Sequence, residues 1–153
     1  MPVAVETYLS TRYEPACDFV DGELVERAAG YRDHSAMIGA LLNWFHANRR
    51  KALCVLRLQI TLSRYRVVDI CVDGPHAPYI CIEVLSPEED QAVLREKLAD
   101  YARIDAANIW VIDPAERNGA CYENGALGDA TPLLRTTDGR VELPIAELFT
   151  IDD

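Results

Sequence analysis

The chain has 153 residues, half of them hydrophobic, and a formal net charge of -10 at pH 7. This length predicts one domain spanning residues 1–153, and no run approaches the roughly 18 to 20 consecutive apolar residues of a membrane span. The acidic balance argues against the extended cationic surface of non-specific nucleic-acid binders, so DNA is a possible but disfavoured partner.

The amino terminus and the cysteines indicate the compartment. MPVAVETYLS contains an acid and lacks the basic start and apolar run of a secretory signal, which predicts a cytoplasmic protein. The five cysteines are odd in number and form no CxxC pair. We therefore expect reduced, buried thiols rather than disulfides or a zinc site.

A hairpin and a long helix open the predicted fold. Within CDFVDGELVER (Cys17 to Arg27), the pair Asp21-Gly22 suits the type I′ turn of a tight hairpin. From Asp33 to about Lys51 apolar residues recur at helical spacing, with Asp33 as N-cap and a basic carboxyl end.

Three strands and a second long helix follow. The strands are predicted at Leu53 to Leu62, Arg66 to Val72, and Tyr79 to Leu85. Ser86 suits the N-cap and Pro87 the first position of a helix that runs to about Asp105. A β-rich run at 108–112, short strands and a final helical turn then complete a mixed α/β domain.

Two acidic residues lie within these apolar strands. Alternation along a strand places Asp69 and Glu83 each on a face with apolar neighbours. A buried carboxylate is costly unless a cation compensates it, and oxygen ligands suit Mg²⁺ or Mn²⁺. The pair therefore indicates either a divalent-metal site or strand-end acids that meet solvent or an arginine such as Arg64 or Arg66.

The second helix carries a lysine inside its apolar side. Lys97 lies between Val93 and Tyr101, where it either extends along its stem to water or turns its ammonium toward a buried acid. Because the helix directly follows the Glu83 strand, packing it on the sheet brings Lys97 near both carboxylates in the second case. Two acids and a lysine in one pocket are typical of metal-assisted phosphodiester hydrolysis.

Seven short motifs occur in order along nearly the whole chain. They are DGELVE (21–26), a helix that opens with His34, VVDICV (67–72), IEVLSP (82–87), K-x-x-x-Y (97–101), IWVIDP (109–114) and PIAELF (144–149). With these motifs the chain resembles the Uma-two family of restriction-endonuclease-like proteins.

The resemblance implies a core of the PD-(D/E)XK nuclease superfamily, a mixed, curved sheet flanked by two long helices. It also implies a catalytic site in which Asp69 and Glu83 hold Mg²⁺ or Mn²⁺. Lys97 matches the lysine of this site, moved from the strand to the following helix, and Glu23 matches an acid often found in the first hairpin.

Some positions depart from the family pattern. Val68 stands where a proline usually precedes the first acid, and Leu85 stands where the superfamily carries its strand lysine. His34 begins a helix on its apolar side, so it either bonds a backbone carbonyl or joins the site beside Glu23.

Two functions from different classes follow. The first is a metal-dependent endonuclease that hydrolyses phosphodiester bonds in DNA. The second is a catalytically degenerate nuclease fold that serves as a dimeric interaction or regulatory module, which the acidic balance and the absent strand lysine favour. We expect a homodimer in either case.

Overall fold

The structure is a computed structural model that describes residues 2–27 and 31–149. Its helices are α1 (Val5–Ser10), α2 (Arg32–Ala47) and α3 (Gln91–Arg103), with a 3-10 turn at Ile145–Phe149. Its strands are β1 (Cys17–Val20), β2 (Glu23–Glu26), β3 (Ala52–Thr61), β4 (Arg64–Asp73), β5 (Pro78–Val84), β6 (Asn108–Asp113), β7 (Asn118–Glu123), β8 (Ala126–Leu127), β9 (Leu133–Arg135) and β10 (Glu142–Pro144).

Eight of these strands form one mixed sheet. Its order is β2-β1-β4-β5-β6-β7-β8, and β3 pairs with the other edge of β4. The pairs are antiparallel except for β5 with β6, which α3 connects in a parallel crossover. Strands β9 and β10 pair separately. The mixed sheet with its two long helices agrees with the architecture predicted from the sequence.

The two long helices pack with separate hydrophobic clusters. Helix α2 contributes Leu41 and Phe45 to a cluster with Trp110 and the apolar side chains of β5. Helix α3 contributes Leu98 and Tyr101 to a second cluster that contains the β4 and β5 cysteines. The strand residues between the two clusters are accordingly almost all buried.

The predicted hairpin is confirmed, together with its turn. Asp21 and Gly22 both have positive φ, 49° and 93°, as a type I′ turn requires. The hairpin register pairs Cys17 with Glu26 and Val20 with Glu23.

The ends of both long helices differ from the prediction. Helix α3 begins at Gln91, since the Asp90 side chain accepts hydrogen bonds from the backbone N–H groups of Ala92 and Val93. Ser86 instead begins a turn, in which its carbonyl accepts from the Glu89 N–H. Helix α2 begins one residue before Asp33, without a side-chain cap, and ends at Ala47. The sequence prediction also missed the short helix α1.

The sequence predicts that the cysteines are buried, and the structure shows this for only some of them. Cys17, Cys71 and Cys81 are buried, whereas Cys121 is partly exposed and Cys54 is exposed on β3. No helix within residues 2–27 and 31–149 is long and apolar enough to cross a membrane.

Candidate active site

The site lies at a gap along one edge of β4, between the strand that pairs with its start and the strand that pairs with its end. Strand β1 pairs with the start of β4 as far as Tyr65, and β5 pairs with its end from Ile70 onward. Between these points no described strand pairs with this edge, and the N–H groups of Val67 and Asp69 need other partners. The Asp18 carboxylate accepts from Val67 at 2.7 Å, and the Glu83 carboxylate accepts from Asp69 at 3.1 Å.

Asp69 and Glu83 are joined in both directions. The Asp69 N–H donates to Glu83 Oε2, and the Val84 N–H donates to Asp69 Oδ2 at 2.8 Å. Continuing the register of Ile70 with Ile82 makes Asp69 and Glu83 cross-strand neighbours. Both are nearly fully buried, so the two acids that the sequence singled out do meet in one pocket.

Helix α3 brings a cation and a hydroxyl to Glu83. The Lys97 ammonium lies 2.9 Å from Glu83 Oε1 and 3.4 Å from Asp18 Oδ2. The Tyr101 hydroxyl donates to Glu83 Oε2 at 3.0 Å. Lys97 is 6% exposed, so of the two conformations considered from the sequence it adopts the one directed at the acids.

Asp69 has its own cationic partners on the other side. The Arg27 guanidinium forms an ion pair with Asp69 Oδ1. His34 Nε2, at the start of α2, lies 3.3 Å from Asp69 Oδ2. His34 therefore belongs to the site, beside Asp69 rather than beside Glu23.

A buried ion network supports Asp18. Arg66 is 1% exposed, and its guanidinium donates to Asp100 at 2.7 Å and to Asp18 at 3.3 Å. Arg64 donates to the same Asp100 oxygen at 2.8 Å and also pairs with Glu96. Asp18 also accepts a hydrogen bond from the Val67 N–H and pairs with the Lys97 ammonium. The network therefore orients the lysine as well as the strand edge.

Burial and charge move the pKa values of the two acids apart. Burial, followed by the negative charge of Asp69, raises the pKa of Glu83 to about 7, against the opposing charge of Lys97. Burial also acts to raise the pKa of Asp69, but the His34 hydrogen bond and the charge of Arg27 outweigh it and hold this pKa below its usual value. Neighbouring acids with separated pKa values are typical of catalytic sites.

The neighbouring acids favour the charged forms of Lys97 and His34. Burial acts to lower the pKa of Lys97, but the charges of Glu83 and Asp18 outweigh it and raise the pKa above its usual value. The hydrogen bond with Asp69 raises the pKa of His34, more than burial lowers it. Both shifts favour the charged forms of Lys97 and His34 beside the two acids.

The hairpin acid that reaches the pocket is Asp18. Glu23 is exposed at the turn end of the hairpin and does not line the pocket. It shares a face with Asp18 but lies opposite Val20, two cross-strand pairs nearer the turn. Sequence reasoning missed Asp18, Arg27 and Tyr101, although Asp18 carried a usable signal as an acid between Cys17 and Phe19 in an apolar strand.

The pocket, here called the acid pocket, has an acidic rim. Its core residues are Asp18, Arg27, His34, Asp69, Glu83 and Lys97, and its rim carries Glu26, Glu88, Glu89 and Asp90. In the described part of the chain, no three His, Cys, Asp or Glu side chains stand as a ready-made metal cage.

Two carboxylates nevertheless suit Mg²⁺, which usually keeps several waters and binds through one or two acids. Asp69 Oδ1 and Glu83 Oε1 each have one cationic partner, Arg27 and Lys97 respectively. The donor set fits the ion if Arg27 leaves Asp69.

Comparison with known proteins supplies the family. The family model Uma2, described as "Putative restriction endonuclease", matches residues 5–150. The chain belongs to the Uma2 family. The match confirms the resemblance inferred from the seven sequence motifs. A search of curated proteins gave no match.

A solved structure supports the fold of this Uma2 chain. It is the crystal structure of "a putative nuclease belonging to DUF820" from Anabaena variabilis, at a TM-score of 0.78 and 21% sequence identity. The alignment covers 97% of this chain and 98% of that one. The likeness confirms the predicted restriction-endonuclease-like fold.

The raised pKa of Glu83 predicts how the stability of metal-free protein depends on pH. The Glu83 carboxyl has a pKa of 4.5 in the unfolded chain and of about 7 in the folded protein. The folded state therefore binds more protons between these values, and the stability that Glu83 contributes at low pH is lost as the pH rises through about 7.

Urea unfolding in EDTA tests this with Glu83→Gln as the reference. Between about pH 5 and about pH 8, the free energy of unfolding of the wild type should fall by about 2 kcal/mol relative to that of the variant. Parallel pH profiles for the two proteins would mean that Glu83 ionises at its ordinary pKa.

Proposed function

We propose that this Uma2 protein is a metal-dependent endonuclease that hydrolyses phosphodiester bonds in DNA. The observation that carries the proposal is the convergence of Asp69, Glu83 and Lys97 in one buried pocket, at the point where β1 and β5 separate. Membership of a family described as "Putative restriction endonuclease" supports it, as does the nuclease-like fold.

Asp69 and Glu83 would hold the ion, Mg²⁺ or Mn²⁺, through carboxylate oxygens. When bound, the ion supplies positive charge against the negative charge that develops on the scissile phosphate. The protein's own bonds keep the two acids in place, since each is anchored to a backbone N–H of the opposite strand.

Lys97 supplies a second positive charge from the chain itself. Its ammonium has three donors, and Glu83 and Asp18 engage two of them. The third can donate to a phosphate oxygen or orient an attacking water. Because the pKa of Lys97 is raised, it acts as a charge and a donor rather than as a base.

Arg27 also favours the rival, a degenerate fold used as a dimeric interaction module. Its guanidinium pairs with Asp69 Oδ1, an oxygen that a metal would use. A resting site occupied by arginine and an inactive site neutralised by arginine share this arrangement. They differ in whether a divalent cation can replace the arginine. A homodimer remains a prediction for both functions.

Cleavage assays on single-stranded and duplex DNA, with RNA in parallel, test the enzyme. With Mg²⁺ or Mn²⁺, Asp69→Asn, Glu83→Gln and Lys97→Gln should each reduce the cleavage rate at least about 100-fold, because each removes a charge next to the reacting phosphate. EDTA should abolish cleavage by the wild type.

Asp129→Asn is the matched control, since it makes the same chemical change at an exposed residue outside the acid pocket. It should retain wild-type cleavage, and circular dichroism should show that all four variants are folded. Equal cleavage by all four, or none by any protein in any metal, would reject the proposal and favour the interaction module.

Arg27→Gln should bind Mn²⁺ more tightly than the wild type. A metal ion that enters the wild-type site must displace the partly buried Arg27 guanidinium, whereas in the variant Asp69 is already free of it. Calorimetric titration without nucleic acid should show an affinity gain of about tenfold or more.

Arg49→Gln is the control for net charge, because it removes one positive charge at the far end of α2. It should leave the Mn²⁺ affinity of the wild type unchanged. Unchanged or weaker Mn²⁺ binding by Arg27→Gln would show that the guanidinium does not compete for the site.

A further inference from the structure

A groove of opposite charge adjoins the acid pocket. It runs between residues 12–17, Val55 and Arg57 of β3, and Val67 of β4, and Arg27 lines it as well. Its charged side chains are three arginines, Arg12, Arg27 and Arg57, and one acid, Glu14. This basic groove is thus a local positive surface on a chain whose net charge is -10.

The basic groove and the acid pocket are continuous. Arg27 lines both. Val67 in the groove and Asp69 in the pocket lie two residues apart on β4, roughly 7 Å along the strand. Cys17 lines the groove while the next residue, Asp18, lines the pocket. The groove and the two acids are therefore neighbours along both β1 and β4.

The arginine on β3 is held in place for binding. The Arg57 guanidinium lies over the Tyr8 ring at 4.5 Å and donates to the Leu9 carbonyl at 3.4 Å. Arg57 is still exposed, so its guanidinium is oriented without being buried. An arginine stacked on an aromatic ring retains donors for a phosphate group.

The backbone of β3 is strained beside the groove. Val55 has a φ of 51°, a conformation that β-branched residues rarely adopt, and is 44% exposed. Its neighbours Cys54 and Leu56 pair with Ile70 and Val68, which places the strained residue opposite Asp69. Strain of this kind concentrates at functional sites, where the surrounding structure maintains it.

We propose that the basic groove binds the sugar–phosphate backbone of a nucleic acid strand and delivers it to Asp69 and Glu83. The proposal rests on the nuclease function proposed above and names the surface that the substrate occupies. Arg12 and Arg57 neutralise phosphates next to the scissile one. Arg27 stands at the junction, where it can pair with a phosphate once a cation occupies Asp69.

A second basic surface provides a rival location and a matched control. Arg49, Arg50 and Lys51 line another depression, after the carboxyl end of α2. It lies roughly 20 Å along the helix from His34 in the acid pocket. Removing two charges there changes the net charge as much as removing two from the groove.

The experiment measures nucleic-acid binding by fluorescence anisotropy in EDTA, so that no substrate is cut. Labelled single-stranded DNA, duplex DNA and RNA of one sequence are titrated with wild type, Arg12→Gln/Arg57→Gln and Arg49→Gln/Lys51→Gln over a salt series. The groove variant should bind its preferred nucleic acid roughly tenfold more weakly, with the slope of log affinity against log salt reduced by about 2. The α2 variant should stay within about twofold of the wild type.

Arg12→Gln alone guards against a folding defect, because Arg12 is exposed and Arg57 packs on Tyr8. It should produce about half of the change in salt slope. Equal binding by wild type and groove variant, loss confined to the α2 variant, or no binding by the wild type would each overturn the proposal.

The assay also separates this proposal from the cleavage reaction. Groove-dependent binding without metal-dependent cleavage would reject the proposed nuclease activity and support nucleic-acid binding by the basic groove. If Arg12→Gln/Arg57→Gln retains both wild-type cleavage and wild-type binding, the nuclease activity is supported and binding by the basic groove is rejected.

Discussion

The structure depends on how one strand edge satisfies its hydrogen bonds. Strands β1 and β5 separate from β4 and leave two backbone N–H groups, those of Val67 and Asp69, without strand partners. A buried N–H group without a hydrogen-bond partner destabilises the fold. The carboxylates of Asp18 and Glu83 accept hydrogen bonds from these two groups. The gap in the sheet thus places acids in the interior, and the acids then require cations.

The cations that answer this requirement come from three different elements. Lys97 comes from α3, His34 from α2 and Arg27 from the end of the first hairpin. Lys97 is fixed between two acids, whereas Arg27 pairs with Asp69 and lines both the acid pocket and the basic groove. If the proposed function holds, this arrangement would let an acidic chain bind an anionic substrate, because positive charge is concentrated where the nucleic-acid backbone would lie.

Periodicity and turn chemistry predicted most of the fold. The Asp21-Gly22 turn, the amphipathic helices and the apolar strands each carried a local signal, and the structure confirms them. The predicted start of α3 was wrong because Asp90 competes with Ser86 as the N-cap, and both have suitable side chains. Local preference alone does not rank two caps within one segment.

The site was predictable where an unusual residue interrupted an apolar pattern. Asp69, Glu83 and Lys97 stood out in this way, and Asp18 would have done so under the same criterion. Arg27 did not, because an arginine at the end of a hairpin is ordinary in sequence. Its role arises from long-range packing against Asp69, 42 positions away. Pairing of that kind depends on topology, and no local pattern encodes it.

Anomalous scattering from a crystal of the protein soaked in Mn²⁺ would show directly whether Asp69 and Glu83 hold a metal ion in place of Arg27. We expect an anomalous peak within bonding distance of both carboxylates, Asp69 and Glu83, at about 2.0–2.2 Å. The Arg27 guanidinium should move away from Asp69, while Lys97 keeps its contact with Glu83. An intact Arg27–Asp69 pair, with no peak at these carboxylates in millimolar Mn²⁺, would show that the two acids do not hold a metal ion.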